Sequence, residues 1–417
     1  MAKFFSLEGK GLKLDTAADI DKHIQPLKDS NDVEEVHFQG NTLGVEACEA
    51  LAKVLESKKS LRVANFADIF TSRLLSEIPP ALNSLLTSLL TLPALHTVNL
   101  SDNAFGLNTV EPLRPFLSQH TPLQHLILNN NGLGPAAGTF VAEALVKLAE
   151  KKAAARKEGK NVPDLETVIC GRNRLETGSM AAWVKAYTAN NGVRTVKMVQ
   201  NGIRQEGIST LLQNGLSNCT KLEVLDLQDN TFTAMGAKAL ADVAGKWTTI
   251  KELGVGDCLL SARGGVMLAE ALRKGENKKL EVLRLQYNEI DTKGLQALST
   301  TAQTSALPSL RRVELNGNKF SEEDNALEEL REVLDNRKEK EGTEDDDEEA
   351  WGIDELDDLE EESDDEGAED EGEEEDEDDK AERVVKEADQ AEGEAVAQDK
   401  DKGVDELADL MSKTELK

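Results

Sequence analysis

Apolar residues recur along the chain with one spacing. Leu123, Leu126 and Leu128 are followed by Asn131 and Leu133, and Leu222, Leu225 and Leu227 by Asn230 and Phe232. Leu280, Leu283 and Leu285 lead to Asn288 and Ile290; Leu310, Val313 and Leu315 lead to Asn318 and Phe320. The shared pattern is L-x-x-L-x-L-x-x-N-x-L. The alternation at its centre has the two-residue period of a short strand. The asparagine amide suits the point where the chain turns off that strand, because it can both donate to and accept from backbone groups. Weaker copies pass through Val36 and Asn41, Val98 and Asn103, Val168 and Asn173, Val196 and Asn201, and Leu253 and Cys258. Cys258 puts a thiol of similar volume and weaker bonding in the asparagine slot. A degenerate copy runs through Phe66 and Ile69, and a first, capping copy covers Leu7–Asp15. The count is about eleven units.

The asparagine slots fall at 41, 69, 103, 131, 173, 201, 230, 258, 288 and 318, so successive gaps are 28, 34, 28, 42, 28, 29, 28, 30 and 30. That is the long end of the leucine-rich-repeat range of about 20–29 residues, with room for a strand and a full helix in each unit. Gly44–Ser60 carries the helical stripe, with Ala47, Leu51, Val54 and Leu55 apolar. The predicted fold is α/β: a leucine-rich-repeat solenoid, or horseshoe, of about eleven strand-helix repeats. Parallel strands line its concave face and helices its convex one. Two gaps break the period. The first adds residues around Phe70–Pro80, where Ala67-Asp-Ile-Phe-Thr-Ser-Arg73 replaces the asparagine turn; this predicts a loop that leaves the regular ridge. The second adds the Lys/Ala-rich stretch Val146–Asp164, predicting a helix extended outward. Ser321-Glu-Glu-Asp324 reads as the cap of a final helix over Asn325–Lys340.

Charge divides the chain in two. It has 80 acidic and 48 basic side chains, net −32; residues 1–340 hold 42 and 41 of them, residues 341–417 hold 38 and 7. A nearly neutral repeat domain over 1–340 is therefore followed by an acidic tail over 341–417. The tail is too poor in apolar residues to offset the entropy of ordering, and is expected to be disordered. Such a field repels phosphate, which excludes a nucleic-acid backbone binder. No stretch approaches the roughly 18 apolar residues of a membrane helix. The N-terminus shows no apolar core followed by a cleavage site. Cys48, Cys170, Cys219 and Cys258 have no C-x-x-C spacing, as expected of a reduced intracellular protein. Near the end, Val404–Lys413 is weakly amphipathic within the segment 404–416, and Ser363-Asp-Asp-Glu366 has the acidic context of a phosphosite.

Catalytic constellations are missing. There is no G-x-x-x-x-G-K-[ST] loop, Gly254-Val-Gly256 lacks a third glycine, and H-E-x-x-H does not occur. His23, His37, His96, His120 and His125 are scattered; His37, His96 and His125 sit beside core positions and read as solvent-facing strand residues. No metal set or Ser-His-Asp set emerges, so a binding surface is the function this architecture offers. One surface stands out: the exposed slot just before each asparagine. It holds Gly40, Asp68, Asp102, Asn130, Arg172, Gln200, Asp229, Asp257, Tyr287 and Gly317, which stacking sets along one rim. The rim is polar and acidic at four points, with Arg73 close in sequence, and suits a basic protein.

Several loops resemble those of the Ran GTPase-activating proteins. They include Phe5-Ser-Leu-Glu-Gly-Lys10, Asp68-Ile-Phe-Thr-Ser-Arg73, Leu100-Ser-Asp-Asn-Ala-Phe-Gly106, Asn130-Asn-Gly-Leu-Gly-Pro135 and Ile169-Cys-Gly-Arg-Asn-Arg174. Val196-Lys-Met-Val-Gln-Asn-Gly202, Leu225-Asp-Leu-Gln-Asp-Asn-Thr-Phe232 and Phe320-Ser-Glu-Glu-Asp324 complete the likeness, which spans residues 1–340. It implies a GTPase activator acting in trans: binding of GTP-loaded Ran, faster hydrolysis, and a part in nucleocytoplasmic transport. GTP and magnesium would come with Ran, the chain holding no cofactor. By the matching motifs, Asn130 and Arg73 would be the catalytic residues: Asn130 would orient Ran's own catalytic glutamine, and Arg73 would be important for the interaction without acting as an arginine finger. Asp229 would meet basic Ran surface, with Asp68, Asp102, Arg172, Arg174 and Asp257 as further contacts. Leu75 stands where related sequences can place lysine. Other members append a folded C-terminal domain that anchors them at the nuclear pore; none is expected here, as in fungal-like forms. The resemblance further implies a monomer in the cytoplasm, or at the cytoplasmic side of the nuclear envelope, and admits a Ran-binding protein in a ternary complex. The alternatives are an acidic leucine-rich histone-chaperone-like protein, whose repeats are shorter, and a ribonuclease-inhibitor-like protein, whose cysteines are more numerous.

Overall fold

The computed structural model describes residues 3–341 and 350–360. Ser363 and the segment 404–416 lie outside the described residues. The main sheet has twelve parallel strands laid in chain order from Phe4–Ser6 to Gly352–Ile353, and two short strands near the start, Lys13–Leu14 and Thr42–Leu43, pair in a separate sheet. The central residue of each three-residue strand points into the core. Val98, Leu126, Val168 and Val196 are in register across four strands and all are buried. Flanking residues such as His125 and Ile127 are half-buried on the other face. Helices return the chain between strands, for example Val45–Leu55, Ile78–Leu90 and Asn325–Glu341. The eleven repeats expected from the spacing each supply one strand, making an α/β leucine-rich-repeat solenoid. Both faces of such a sheet cannot be covered by one helix layer, which leaves the second face open for binding.

The asparagine slot explains why the units stack. Asn131 is 1% exposed. Its Nδ2 donates to the carbonyls of Leu100 (3.1 Å), Leu128 (2.9 Å) and Asn129 (3.2 Å), and its Oδ1 accepts from Asn103 N (2.8 Å). Its own N–H donates to Asn173 Oδ1 at 2.9 Å. The side-chain amide thus satisfies backbone groups of two units and the residue's own N–H reaches a third; the same pattern repeats at Asn103, Asn173 and Asn288. Ile69 breaks the ladder only on one side. Its N–H still reaches Asn103 Oδ1 (2.9 Å), and Asn103 Nδ2 covers the carbonyl of Phe66 (2.8 Å) that an asparagine at 69 would have shared. At Cys258 the thiol meets the carbonyls of Gly256 (3.3 Å) and Leu227 (3.5 Å), the weak bonding expected. All four cysteines are buried and free.

Three features depart from the sequence expectations. First, the tail does not begin at 341. Residues 350–360 pack on the last repeat: Gly352–Ile353 pairs with Arg312 and Val313, and Trp351 is 7% exposed. Arg311 Nη1 donates to the carbonyl of Ala350 (2.8 Å), and the Asp354 carboxylate accepts from the N–H groups of Leu315 (2.6 Å) and Asn316 (3.1 Å). Acidic composition hid this strand, and the Asp354 carboxylate that follows it serves as a backbone acceptor rather than a solvated charge. Second, the ridge is not interrupted beside Ile69: Asp68 keeps the ridge conformation, and the extra residues leave only after it. Third, the Lys/Ala-rich insertion does lengthen a helix, Gly134–Lys157, but it is tied down. Lys152 is buried and donates to the carbonyls of Leu123 (2.6 Å) and Pro163 (2.8 Å), and Arg156 pairs with Asp164 at 2.7 Å. Burial pushes the Lys152 amine down to about 7.

Candidate functional site

Every ridge residue has a left-handed backbone. The φ angles are 46° at Asp68, 61° at Asp102, 52° at Asn130, 55° at Arg172, 55° at Asp229 and 51° at Asp257. Gln200, Tyr287, Gly40 and Gly317 share the conformation. The cause is the turn that takes the chain off each strand while its N–H still pairs with the next unit. Asp102 N donates to Asn129 O (2.9 Å), Asn130 N to Gly171 O (2.9 Å), and Asp229 N to Gly256 O (3.0 Å). Asn, Asp and Gly enter this region cheaply; Arg172, Gln200 and Tyr287 do so at a cost of about 1 kcal/mol or more each. At Gly317 a Cβ would sit 2.0 Å from the Tyr287 ring, so a side chain there would expel the ring from its place beside Asp358.

Asn130 lies in the middle of this ridge and is exposed. The strand end beneath it is fixed: Asn129 N donates to Ser101 Oγ (3.1 Å), and Asn129 Oδ1 accepts from Gly171 N (2.7 Å). Its side-chain Nδ2 donates to Asp102 Oδ1 at 2.7 Å. Ser101 and Asn129 are supports the spacing did not single out, since nothing in a sequence marks a hydroxyl that serves the next unit.

Arg73 is placed differently. Its side chain is 7% exposed. Nη1 pairs with Asp15 (2.6 Å), Nε donates to Thr42 Oγ1 (2.8 Å) and Nη2 to Thr42 O (2.9 Å). The arginine holds the turn after Ile69 against the first two units, and its hydrogen bond keeps the Asp15 carboxyl below its ordinary range. Gly44 permits the approach, because a Cβ there would lie 2.6 Å from Asp15 O and 3.2 Å from Arg73 Nη1. Asp15 and Thr42 are 58 and 31 residues away in sequence, so no local signal could name them. Leu74 and Leu75, next along, are 69% and 61% exposed.

Further along the ridge, Arg174, Asp229 and Asp257 line one cleft of about 430 Å³ with Glu176, Gln200 and Leu259. Burial, and then the neighbouring Asp257 charge, push the Asp229 carboxyl up, while Arg172 opposes this. That is the signature of a carboxylate pair that a cation would relieve. The ridge thus divides: Asn130 with Asp102 at the centre, Arg174 with Asp229 and Asp257 in the cleft, and Arg73 turned inward among the first units. His96 and His125 sit half-buried on the open strand face, their rings edge-on with centroids 6.0 Å apart. Burial, with the His125 charge next, pushes His96 down. Among the described residues no three His, Cys, Asp or Glu side chains are grouped to hold a metal, and no helix is long and apolar enough to cross a membrane.

A family model described as Leucine Rich repeat matches residues 218–241 and 276–299. Ran GTPase-activating protein 1 of Saccharomyces cerevisiae is 41% identical over 340 residues, which cover 79% of this chain and 82% of the yeast protein. The chain belongs to the Ran GTPase-activating protein family. Within that family, Ran GTPase-activating protein 1 of Xenopus laevis is 40% identical over 201 residues, 48% of this chain and 34% of the frog protein. A chain of the yeast Rad7 and Elc1 complex overlays with a TM-score of 0.47 at 13% identity, covering 78% of each chain.

Proposed function

We propose that this chain binds GTP-loaded Ran and accelerates its GTP hydrolysis, with Asn130 holding Ran's own catalytic glutamine against the attacking water. One observation carries the reading: an exposed amide on a backbone pinned at both neighbours, at the centre of a polar, acidic rim, in a chain of this family. Ran brings the nucleotide, the magnesium ion and the glutamine. The activator then has to orient and to exclude water, which supplies several kcal/mol of barrier lowering without a buried charge. Arg73 is no finger in this reading, because its donors are already engaged by Asp15 and Thr42; it positions the loop that follows Ile69. Asp229 and Asp257 meet basic surface on Ran, and Asp68 extends that edge. The interaction takes place in the cytoplasm.

Two exposed arginines, Arg172 and Arg174, keep a finger mechanism in view as the second reading. The test is Ran-GTP hydrolysis with the protein at sub-stoichiometric amounts. A rate rise of several orders of magnitude is expected; no acceleration ends the proposal. Arg172→Ala and Arg174→Ala should each lose roughly tenfold or less, since exposed charges contribute modestly. A loss in either that equals that of Asn130→Ala would replace the glutamine-orienting reading with an arginine finger.

A further inference from the structure

Asp102 and Asn130 occupy the same ridge slot in adjacent units, both with left-handed backbones, and their side chains meet at 2.7 Å. A carboxylate only accepts hydrogen bonds, so the atom of Asn130 that touches it must be the NH₂ group. That contact removes the usual ambiguity of an amide. With Nδ2 turned to Asp102, the carbonyl Oδ1 is the acceptor left for a partner. An Asn130 without this neighbour would present either end, because two flipped amide orientations have nearly the same shape.

We infer that Asp102 is a positioning residue for Asn130: it fixes the amide so that Oδ1 faces outward as an acceptor. The inference rests on the proposed function and deepens it. An outward acceptor can bind only a donor, which on a glutamine amide is the Nε2 group. Holding that group turns the glutamine's Oε1 the other way, where it can accept a proton-bearing contact from water. The arrangement needs no charge on Asn130 and no movement of the backbone, which is already tied through Gly171, Ser101 and Asn129. It also gives Asp102 a different part from Asp229 and Asp257, whose carboxylates lie in the cleft further along.

The experiment uses the full chain with Ran-GTP as substrate and reads kcat and KM separately. Asp102→Ala and Asp102→Asn remove the same charge, but only the asparagine can still accept from Asn130 Nδ2. Asp102→Ala is expected to lower kcat by about 3- to 10-fold, the effect of losing one charge-assisted bond at an exposed site, with KM within about twofold. Asp102→Asn is expected to recover part of that loss, because its amide can accept from Asn130 Nδ2 but can also donate to Asn130 Oδ1 and so fixes the orientation less strictly. Equal losses in both variants would overturn the inference by showing that only the charge matters. A change confined to KM would overturn it by making Asp102 a direct contact, and an Asp102→Ala variant as active as the native chain would overturn it outright. The native chain's own rate separates this from the parent reading: if it fails to accelerate Ran, both fall, whereas an active chain with an indifferent Asp102→Ala removes only this inference.

Discussion

Asn130 and Asn131 are neighbours with the same side chain, and the fold gives them opposite work. Asn131 is buried, and its side chain spends its hydrogen bonds on the backbone of its own unit and the one before. Asn130 is exposed, bonded by one side-chain atom to Asp102, and leaves an oxygen free. The difference is one step in register, set by a left-handed turn that throws alternate residues to the rim and to the core. A repeat protein therefore keeps two ladders in parallel: an inner one that makes stability, and an outer one on which function can vary without cost to stacking.

The comparison breaks first at Asn130→Ala. Hydrolysis should fall by about 10²–10³-fold, as when a preorganised polar group is removed from a transition state, while the urea midpoint stays put. A large fall in stability would mean the outer ladder is structural after all. Asn131→Ala should do the reverse. Orphaning buried carbonyls and an N–H costs about 2–4 kcal/mol in denaturant unfolding, with activity per folded molecule retained. Arg73→Ala tests the residue that belongs to neither ladder: we expect a loss of about 1.5–3 kcal/mol, because Thr42 O loses a charged donor, and a raised KM from the loosened loop. An unchanged melting profile would show that the loop needs no arginine.

Two smaller effects sharpen the picture. Lys152 is buried with its amine near 7, against 10.5 when exposed. The unfolded chain then binds the extra proton between those values, so stability should rise with pH across that window, by up to about 1.4 kcal/mol per unit. Chemical denaturation from pH 7 to 9, native against Lys152→Met, reads this slope; a slope unchanged by the substitution would remove it. Cys258→Asn restores the amide to the inner ladder and should add about 0.5–1 kcal/mol, the net value of a satisfied hydrogen bond. A destabilised variant would show that the Cys258 site has reshaped itself around sulfur.

Much of the inner ladder could be read from the chain because its rule is strict. Each L-x-x-L-x-L-x-x-N copy names its own strand, its buried centre and its amide, and even Cys258 behaves as its slot demands. The outer ladder could be read as positions, since a rim residue always precedes the asparagine. What could not be read were contacts made across units by side chains outside the pattern. Arg73 finds Asp15 and Thr42, Asn130 finds Asp102, and Asp354 caps Leu315 and Asn316, through stacking that brings distant residues to one place. The strand over 352–353 was hidden for another reason. One tryptophan and one isoleucine carry little weight in a stretch dominated by carboxylates, until a neighbouring sheet edge makes those carboxylates useful.

That short strand also changes what the last repeat offers to a second copy. A parallel sheet built by simple translation offers, at its last strand, a template shaped like the start of another copy. Head-to-tail addition of the Phe4–Ser6 strand of a second chain would never close on itself, and would give a filament. Here the final strand is two residues long and is followed at once by Asp354, Glu355, Asp357 and Asp358. An incoming chain would meet a two-residue edge whose following carboxylates are already bonded to Leu315, Asn316 and Tyr287. The acid-rich segment that sequence composition assigns to the tail thus covers the edge strand of the last repeat, Arg312–Glu314, and leaves only two residues as the new edge of the sheet.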